Sequence, residues 1–279
     1  MGITPAQLER YQREGFLVLE DSVAPLTCDA LRKRAEELVH EFDPGGAISI
    51  FSTAAQNHLR DAYFLESGDK IRFFFEEDAF LPDGSLKQSK ERSINKIGHA
   101  LHELDPVFCE FSRTAAISQL VTDLGIEKPL LLQSMYIFKQ PKIGGEVTCH
   151  QDSTFLYTEP QDIAGLWFAL EDATIDNGCL WAIPGGHGLG LKSRWVRSAE
   201  GMNFEVFDSN PWPEEQLVPL EVRKGSLIIL SGLLPHKSLA NRSSKSRHAY
   251  SLHVINGNSS YPKDNWLQPS PQMPLRGFE

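Results

Sequence analysis

The chain has 279 residues, 41% hydrophobic and 23% charged, with a formal net charge of −10. Those proportions exclude a disordered polymer, and the acidic balance works against nonspecific attraction to nucleic acid or an anionic membrane. Four cysteines, Cys28, Cys109, Cys149 and Cys179, stand far apart without zinc-ribbon spacing, so neither a disulfide framework nor structural zinc is indicated.

Reduced thiols fit a cytoplasmic setting. The N-terminus lacks a basic, apolar leader and no run approaches 18 apolar residues, so the chain is expected to be neither exported nor inserted in a membrane. A monomer is slightly favoured, and the expected partner is a small-molecule substrate.

Thr4, Pro5 and Gln7 predict the start of a first helix, and Gly15 its end. "FLVLE" then reads as a strand. The recurrence of Leu31, Ala35, Leu38 and Phe42 predicts a second helix from about Leu26 to Phe42, stopped by "DPGG". A further helical pair is expected between Asp105 and Leu124, closed by Gly125. From Pro129 the pattern changes to short β runs separated by turn residues: "LLLQSMYIFKQ", "GEVTCHQ", "AGLWFALEDA", "GCLWAIP", "LVPLEV", "GSLIIL" and "HAYSLHVI". This spacing predicts an antiparallel sandwich or barrel. With no linker in view, the fold is expected to be mainly β with buttressing helices, one domain over 1–279: helices mainly in 1–128 and the β core mainly in 129–256. The turn-rich stretch between Pro184 and Pro219 is long enough to form a lid or rim. The proline-rich C-terminus is expected along the surface.

"VTCHQDSTF", residues 147–155, carries the first chemical signal. On an extended strand His150 and Asp152 would project side by side and could share a metal. With 9 histidines and 37 acidic residues, about one such pair is expected by chance, so the pair alone decides little. His236, just after the "GSLIIL" strand, offers a second imidazole. Two histidines and a carboxylate form the facial set that suits non-haem Fe(II) and leaves coordination positions open. Eleven residues beyond His236 stands Arg247, whose planar guanidinium can hold the distal carboxylate of a dicarboxylic 2-oxo acid if the two segments are adjacent antiparallel strands.

Among the other histidines, His40, His58, His99, His102, His248 and His253 have no neighbour that completes such a cluster and read as structural or surface residues. His187 in "PGGHG" is the strongest rival, better suited by its loop to a rim position. Strand alternation turns Cys149 away from His150, toward a buried and inert setting.

"HQD", "HKS" and the arginine eleven residues after that histidine, with "SGDKIRFFFE", "SINKIGHALH", "QSMYIFKQP", "NGCLW" and "NWLQP", resemble the phytanoyl-CoA dioxygenase family over nearly the whole chain. Departures fall mainly around 43–60 and 188–216. The resemblance implies a double-stranded β-helix (a jelly-roll, cupin-like core) with iron at one mouth, held by His150, Asp152 and His236. It also implies 2-oxoglutarate contacts from Lys96, Met135, Trp167 and Ser238 beside Arg247. The implied activity is an Fe(II)-, 2-oxoglutarate- and O2-dependent oxidation that yields succinate and CO2 and hydroxylates an aliphatic C–H. A barrel that binds metal and ligand without turnover is the alternative. A serine hydrolase is disfavoured, because no G-x-S-x-G elbow occurs.

Overall fold

The computed structural model describes residues 2–45, 48–53 and 61–279. α1 (Pro5–Glu14) begins where the Thr4 hydroxyl accepts from the Gln7 N–H and the Gln7 side chain accepts from the Thr4 N–H. It ends at Gly15, whose φ of 79° brings its N–H onto the Tyr11 carbonyl. β1 (Phe16–Leu19) follows, then α2 (Pro25–Glu41), which buries Cys28, Leu31, Ala35 and Val39 at helical spacing. Leu38 and Phe42 pack at the margin of that face. Next come β2 (Ile50–Phe51), α3 (Ala62–Leu65), β3 (Ile71–Glu76), β4 (Ile94–His99) and α4 (Leu101–Leu104). The Asp105 carboxylate accepts from the Val107 and Phe108 N–H groups to start α5 (Pro106–Ser112), and α6 (Ala115–Asp123) completes the helical layer.

The strands that follow are β5 (Pro129–Ile137), β6 (Val147–His150), β7 (Ala164–Ala169), β8 (Leu180–Ala182), β9 (Ser193–Ser198), β10 (Gly201–Val206), β11 (Val218–Leu220), β12 (Leu227–Ser231), β13 (His236–Ser238) and β14 (Ala249–Asn256). They build an eight-stranded sheet ordered β1-β12-β7-β14-β5-β4-β3-β2 and a four-stranded sheet ordered β11-β8-β13-β6. Apart from the parallel β2–β3 pair, every pairing is antiparallel. The chain crosses repeatedly between the sheets: β5, β7, β12 and β14 lie in the larger, β6, β8, β11 and β13 in the smaller. That winding is a double-stranded β-helix.

Alternation along the strands divides the apolar side chains between two layers. On β12, Leu227 and Ile229 pack toward the helices with Leu31, Ala35 and Phe108, whereas Ile228 and Leu230 face the smaller sheet with Leu180 and Ala182. On β14, Tyr250, Leu252 and Val254 join the helical side, which leaves Ser251 and His253 facing the space between the sheets. Each such buried side chain stabilises the fold by about 1.5–3 kcal/mol over its exposed state, so register is strongly fixed.

The α-helices among the described residues all lie in 1–128, and that region also supplies four strands of the larger sheet, β1 to β4. β4 is buried along its whole length and carries polar residues inward, which hides it from a period-two reading. Residues 193–206, inside the turn-rich stretch read as a lid or rim, form the β9–β10 hairpin. In the C-terminal segment Asn265, Trp266 and Leu267 are buried against Phe64, Trp195 and Leu156, because the two large apolar side chains fill a third core layer.

Candidate active site

His150 closes β6 and His236 opens β13, and the two are direct register partners on neighbouring antiparallel strands, with ring centroids 4.4 Å apart. Each imidazole is oriented by its own backbone. His150 Nδ1 donates to the Thr148 carbonyl at 2.8 Å and His236 Nδ1 to the Leu234 carbonyl at 2.9 Å. A carbonyl only accepts, so the proton sits on Nδ1 and both Nε2 lone pairs are free to bind a metal. Asp152 is not on the strand, as the side-by-side argument assumed. The chain turns into a 3-10 helix at Asp152–Thr154, and this turn returns the carboxylate toward the histidines. Asp152 Oδ1 lies 3.7 Å from His150 Nε2 and 3.9 Å from His236 Nε2, and the three candidate ligand atoms all fall within 4.8 Å of one another.

Burial, reinforced by the charge of His236, pushes His150 down to about 4, which keeps it neutral and able to ligate near pH 7. Burial alone would raise the Asp152 carboxyl; the histidines outweigh it, His253 first and His236 next, and hold Asp152 well below the usual carboxylate range. His253 was read as structural in sequence, yet its Nε2 stands 3.1 Å from Asp152 Oδ2.

The triad borders a cavity of about 490 Å³ between the two sheets. Arg247 also lines it, 1% exposed, with Cζ 5.1 Å from the Trp167 ring centroid. Arg247 precedes β14 by two residues, and β14 is not adjacent to the strand of His236, as the sequence reading supposed: β14 and β13 belong to different sheets, and the arginine reaches across the space between them. Arg247 Nε donates to the Gly178 carbonyl at 3.0 Å and Nη2 to Ser238 Oγ at 3.3 Å; Nη1 has no partner among the described residues. Ser238 Oγ donates to the same Gly178 carbonyl at 2.9 Å. Burial lowers Arg247 to about 10, which leaves it charged at neutral pH.

On the cavity floor, Trp167 of β7, Ser251 of β14 and Met135 of β5 form one register row. Lys96 of β4 sits beside it, its Nζ 3.7 Å from Met135 Sδ and 3.5 Å from the Phe51 ring centroid. Burial pushes the Lys96 amine down to about 7. All eight residues singled out from sequence therefore border this one cavity. So do Phe204, Val206 and Trp212 from the stretch expected to form a rim, with Lys192 held 3.0 Å from Asp208 and 4.5 Å from the Trp212 ring centroid.

The remaining readings divide. His187 is not at the rim: its loop tucks under α1, where Nε2 donates to the Gln12 carbonyl at 3.0 Å and the ring packs against Gly15. Cys149 is half-buried, because β6 is the edge strand of the smaller sheet, and its thiol is pushed up to about 11 by burial. His102 and His248 bind Ser134 and Tyr136, and His99 binds Ser67, as structural residues would. His40 is exposed on α2, and His58 lies outside the described residues. Among the described residues no helix is long and apolar enough to cross a membrane.

Residues 11–249 match the phytanoyl-CoA dioxygenase family. A phytanoyl-CoA dioxygenase of Arabidopsis thaliana is 51% identical over 267 residues, spanning 95% of this chain and 94% of its own length. Phytanoyl-CoA dioxygenase domain-containing protein 1 of Mus musculus is 45% identical over 283 residues, spanning 98% and 97%. Among solved structures, the non-heme alpha ketoglutarate dependent carbocyclase SnoK from nogalamycin biosynthesis matches with a TM-score of 0.66 at 18% identity, over 98% of this chain and 94% of its own. EctD from S. alaskensis, solved with 2-oxoglutarate and 5-hydroxyectoine, matches with a TM-score of 0.64 at 20% identity, over 99% and 84%. The solved structures share the double-stranded β-helix; the sequence matches go further, and by them the chain belongs to the phytanoyl-CoA dioxygenase family of enzymes.

Proposed function

We infer that this dioxygenase uses Fe(II) and 2-oxoglutarate, coupling oxidative decarboxylation of the 2-oxo acid to hydroxylation of a small organic substrate. The observation that carries the reading is Arg247. A guanidinium buried without an ion-pair partner is costly, and among the described residues only a carbonyl and a hydroxyl serve it, with Nη1 unpartnered. A dicarboxylic acid entering the cavity supplies the missing anion. The donor set at the other end, two imidazoles and one carboxylate, fits Fe(II).

In this reading His150, Asp152 and His236 hold the metal, while Arg247 and Ser238 fix the distal carboxylate of the co-substrate. When bound, the metal and the 2-oxo acid supply the oxidising chemistry. The protein supplies position and exclusion. Trp167 and Met135 wall the co-substrate, Lys96 adds charge nearby, and the ring of Phe155 gives the reacting side an apolar wall. A carboxylate at position 152 fills the place a halide would need, which favours hydroxylation over halogenation.

The test is succinate formation by Fe(II)-loaded protein with 2-oxoglutarate, O2 and a panel of candidate metabolites. Wild type should release succinate, faster with its true substrate, and His236→Ala should stay folded but lose both iron and turnover. Iron retention with no succinate under any condition would instead identify a binding protein. Full activity and iron content in His236→Ala would remove that residue from the triad.

A further inference from the structure

We propose that Gln133 and His253 form a relay that makes Asp152 a one-oxygen ligand, by engaging its second carboxylate oxygen from behind. The inference rests on the metal reading above and assigns a role to two residues outside the metal motif.

The two carboxylate oxygens of Asp152 face different groups. Oδ1 points at the triad, 3.7 and 3.9 Å from the two imidazole Nε2 atoms, whereas Oδ2 is 3.1 Å from His253 Nε2. The other ring nitrogen of His253 stands 3.3 Å from the Gln133 side-chain amide nitrogen. An amide N–H2 only donates, so Nδ1 carries the lone pair and Nε2 the proton that is given to Asp152. Gln133 thus sets the tautomer and His253 sets the carboxylate.

Strand register hard-wires this arrangement. His253 on β14 has Gln133 of β5 as its direct partner on one side and Gly165 of β7 on the other. A Cβ at Gly165 would lie 3.1 Å from Asp152 Oδ2 and 3.6 Å from His253 Nε2, so the bare glycine leaves room for the contact. Gln133 and His253 are 6% and 4% exposed, which shields both hydrogen bonds from competing water.

The chemical consequence concerns coordination number. A carboxylate with both oxygens free can chelate and take a second position on the metal, one that a two-point co-substrate and dioxygen would otherwise share. Holding Oδ2 restricts Asp152 to one position and orients Oδ1, the part that second-layer partners commonly play at metal sites. His253 and Gln133 are therefore positioning residues.

Co(II) serves as a redox-stable probe, titrated anaerobically into His253→Asn, His253→Gln and Gln133→Met, with visible absorption recorded and apo-protein melting as the fold control. His253→Asn, whose amide is too short to reach Oδ2, should bind Co(II) about 10- to 100-fold more weakly and change the absorption bands. His253→Gln reaches farther and should recover most of both. Gln133→Met keeps every proposed ligand and should still shift the bands; it decides the question if His253→Asn fails to fold. Wild-type affinity and spectrum in folded His253→Asn overturn the relay, as does equal loss in the Asn and Gln variants or an unshifted spectrum in Gln133→Met. If wild type binds no Co(II), the metal reading falls and this inference with it; binding by wild type with indifferent variants overturns the relay alone.

Discussion

At Arg247 truncation should be expensive, because the side chain is 1% exposed and pairs with no carboxylate among the described residues. Losing a buried partner of a charged group costs about 2–5 kcal/mol. Arg247→Ala should therefore raise the 2-oxoglutarate concentration needed for half-saturation by roughly 30- to 1000-fold or more, with metal affinity little changed. Arg247→Lys should recover only part, since an ammonium lacks the planar fork. Anaerobic titration with metal present measures all three proteins, and equal binding would move the grip to Lys96. The grouping of His150, Asp152, His236 and Arg247 around one cavity is legible in the sequence because short spacings bring them forward: His-x-Asp, a histidine at the start of a later strand, and an arginine just ahead of the last one. His253 and Gln133 are not legible. Their link to Asp152, direct from His253 and through it from Gln133, spans segments far apart in the chain, and no local spacing marks one of several apparently structural histidines as the one beneath a carboxylate. A signal existed only in three dimensions, in the register that pairs Gly165, His253 and Gln133 across three strands.

At the level of elements, the turn before β8 does more than connect. Gly178 has φ of 86°, and a Cβ there would stand 2.7 Å from the Leu239 carbonyl and 2.7 Å from Lys139 Cε. Its carbonyl accepts from both Arg247 Nε and Ser238 Oγ. Gly178→Ala should thus lower stability by about 1–3 kcal/mol and weaken 2-oxoglutarate binding as well, on the order of tenfold if one such hydrogen bond to a charged group is lost. Thermal unfolding and co-substrate titration of the same preparation check the two effects; a loss of stability with unaltered binding would show that the turn does not hold the arginine. The turn residues between the β runs are legible in the sequence, as are the capping box at Thr4 and the Asp105 start of α5, since those signals are local. β3 and β4 were harder. Both faces of β4 are covered, so alternation vanishes, and its inward Lys96 looks like a surface residue until the cavity is seen.

For the molecule as a whole, buried neutral histidines set an acid limit. Burial, aided by Arg113 and Arg276, pushes His102 down to about 3, and burial also lowers His248. The unfolded chain takes up protons on these rings below about pH 6.5 while the folded chain does not. Their stabilising effect is complete above that pH and is lost as pH falls toward the folded values, about 2–3 kcal/mol for His102 between pH 7 and 4.5. Urea midpoints should fall over that interval, and His102→Gln should flatten the fall; an identical slope in the variant would assign the acid sensitivity to other groups.

The cavity has a closed end and an open one. Arg247 lies at the closed end, while Phe204 and Val206 stand 39% and 59% exposed along the hairpin, joined to His150 through Phe155. Such a chamber works as a stack, last in and first out. On the proposed function, a co-substrate held by Arg247 must load before anything settles against the hairpin, and its spent remnant leaves only after the product has cleared the way. Kinetics on this enzyme should therefore be compulsory-order, with excess substrate slowing turnover whenever it arrives first and seals the co-substrate outside.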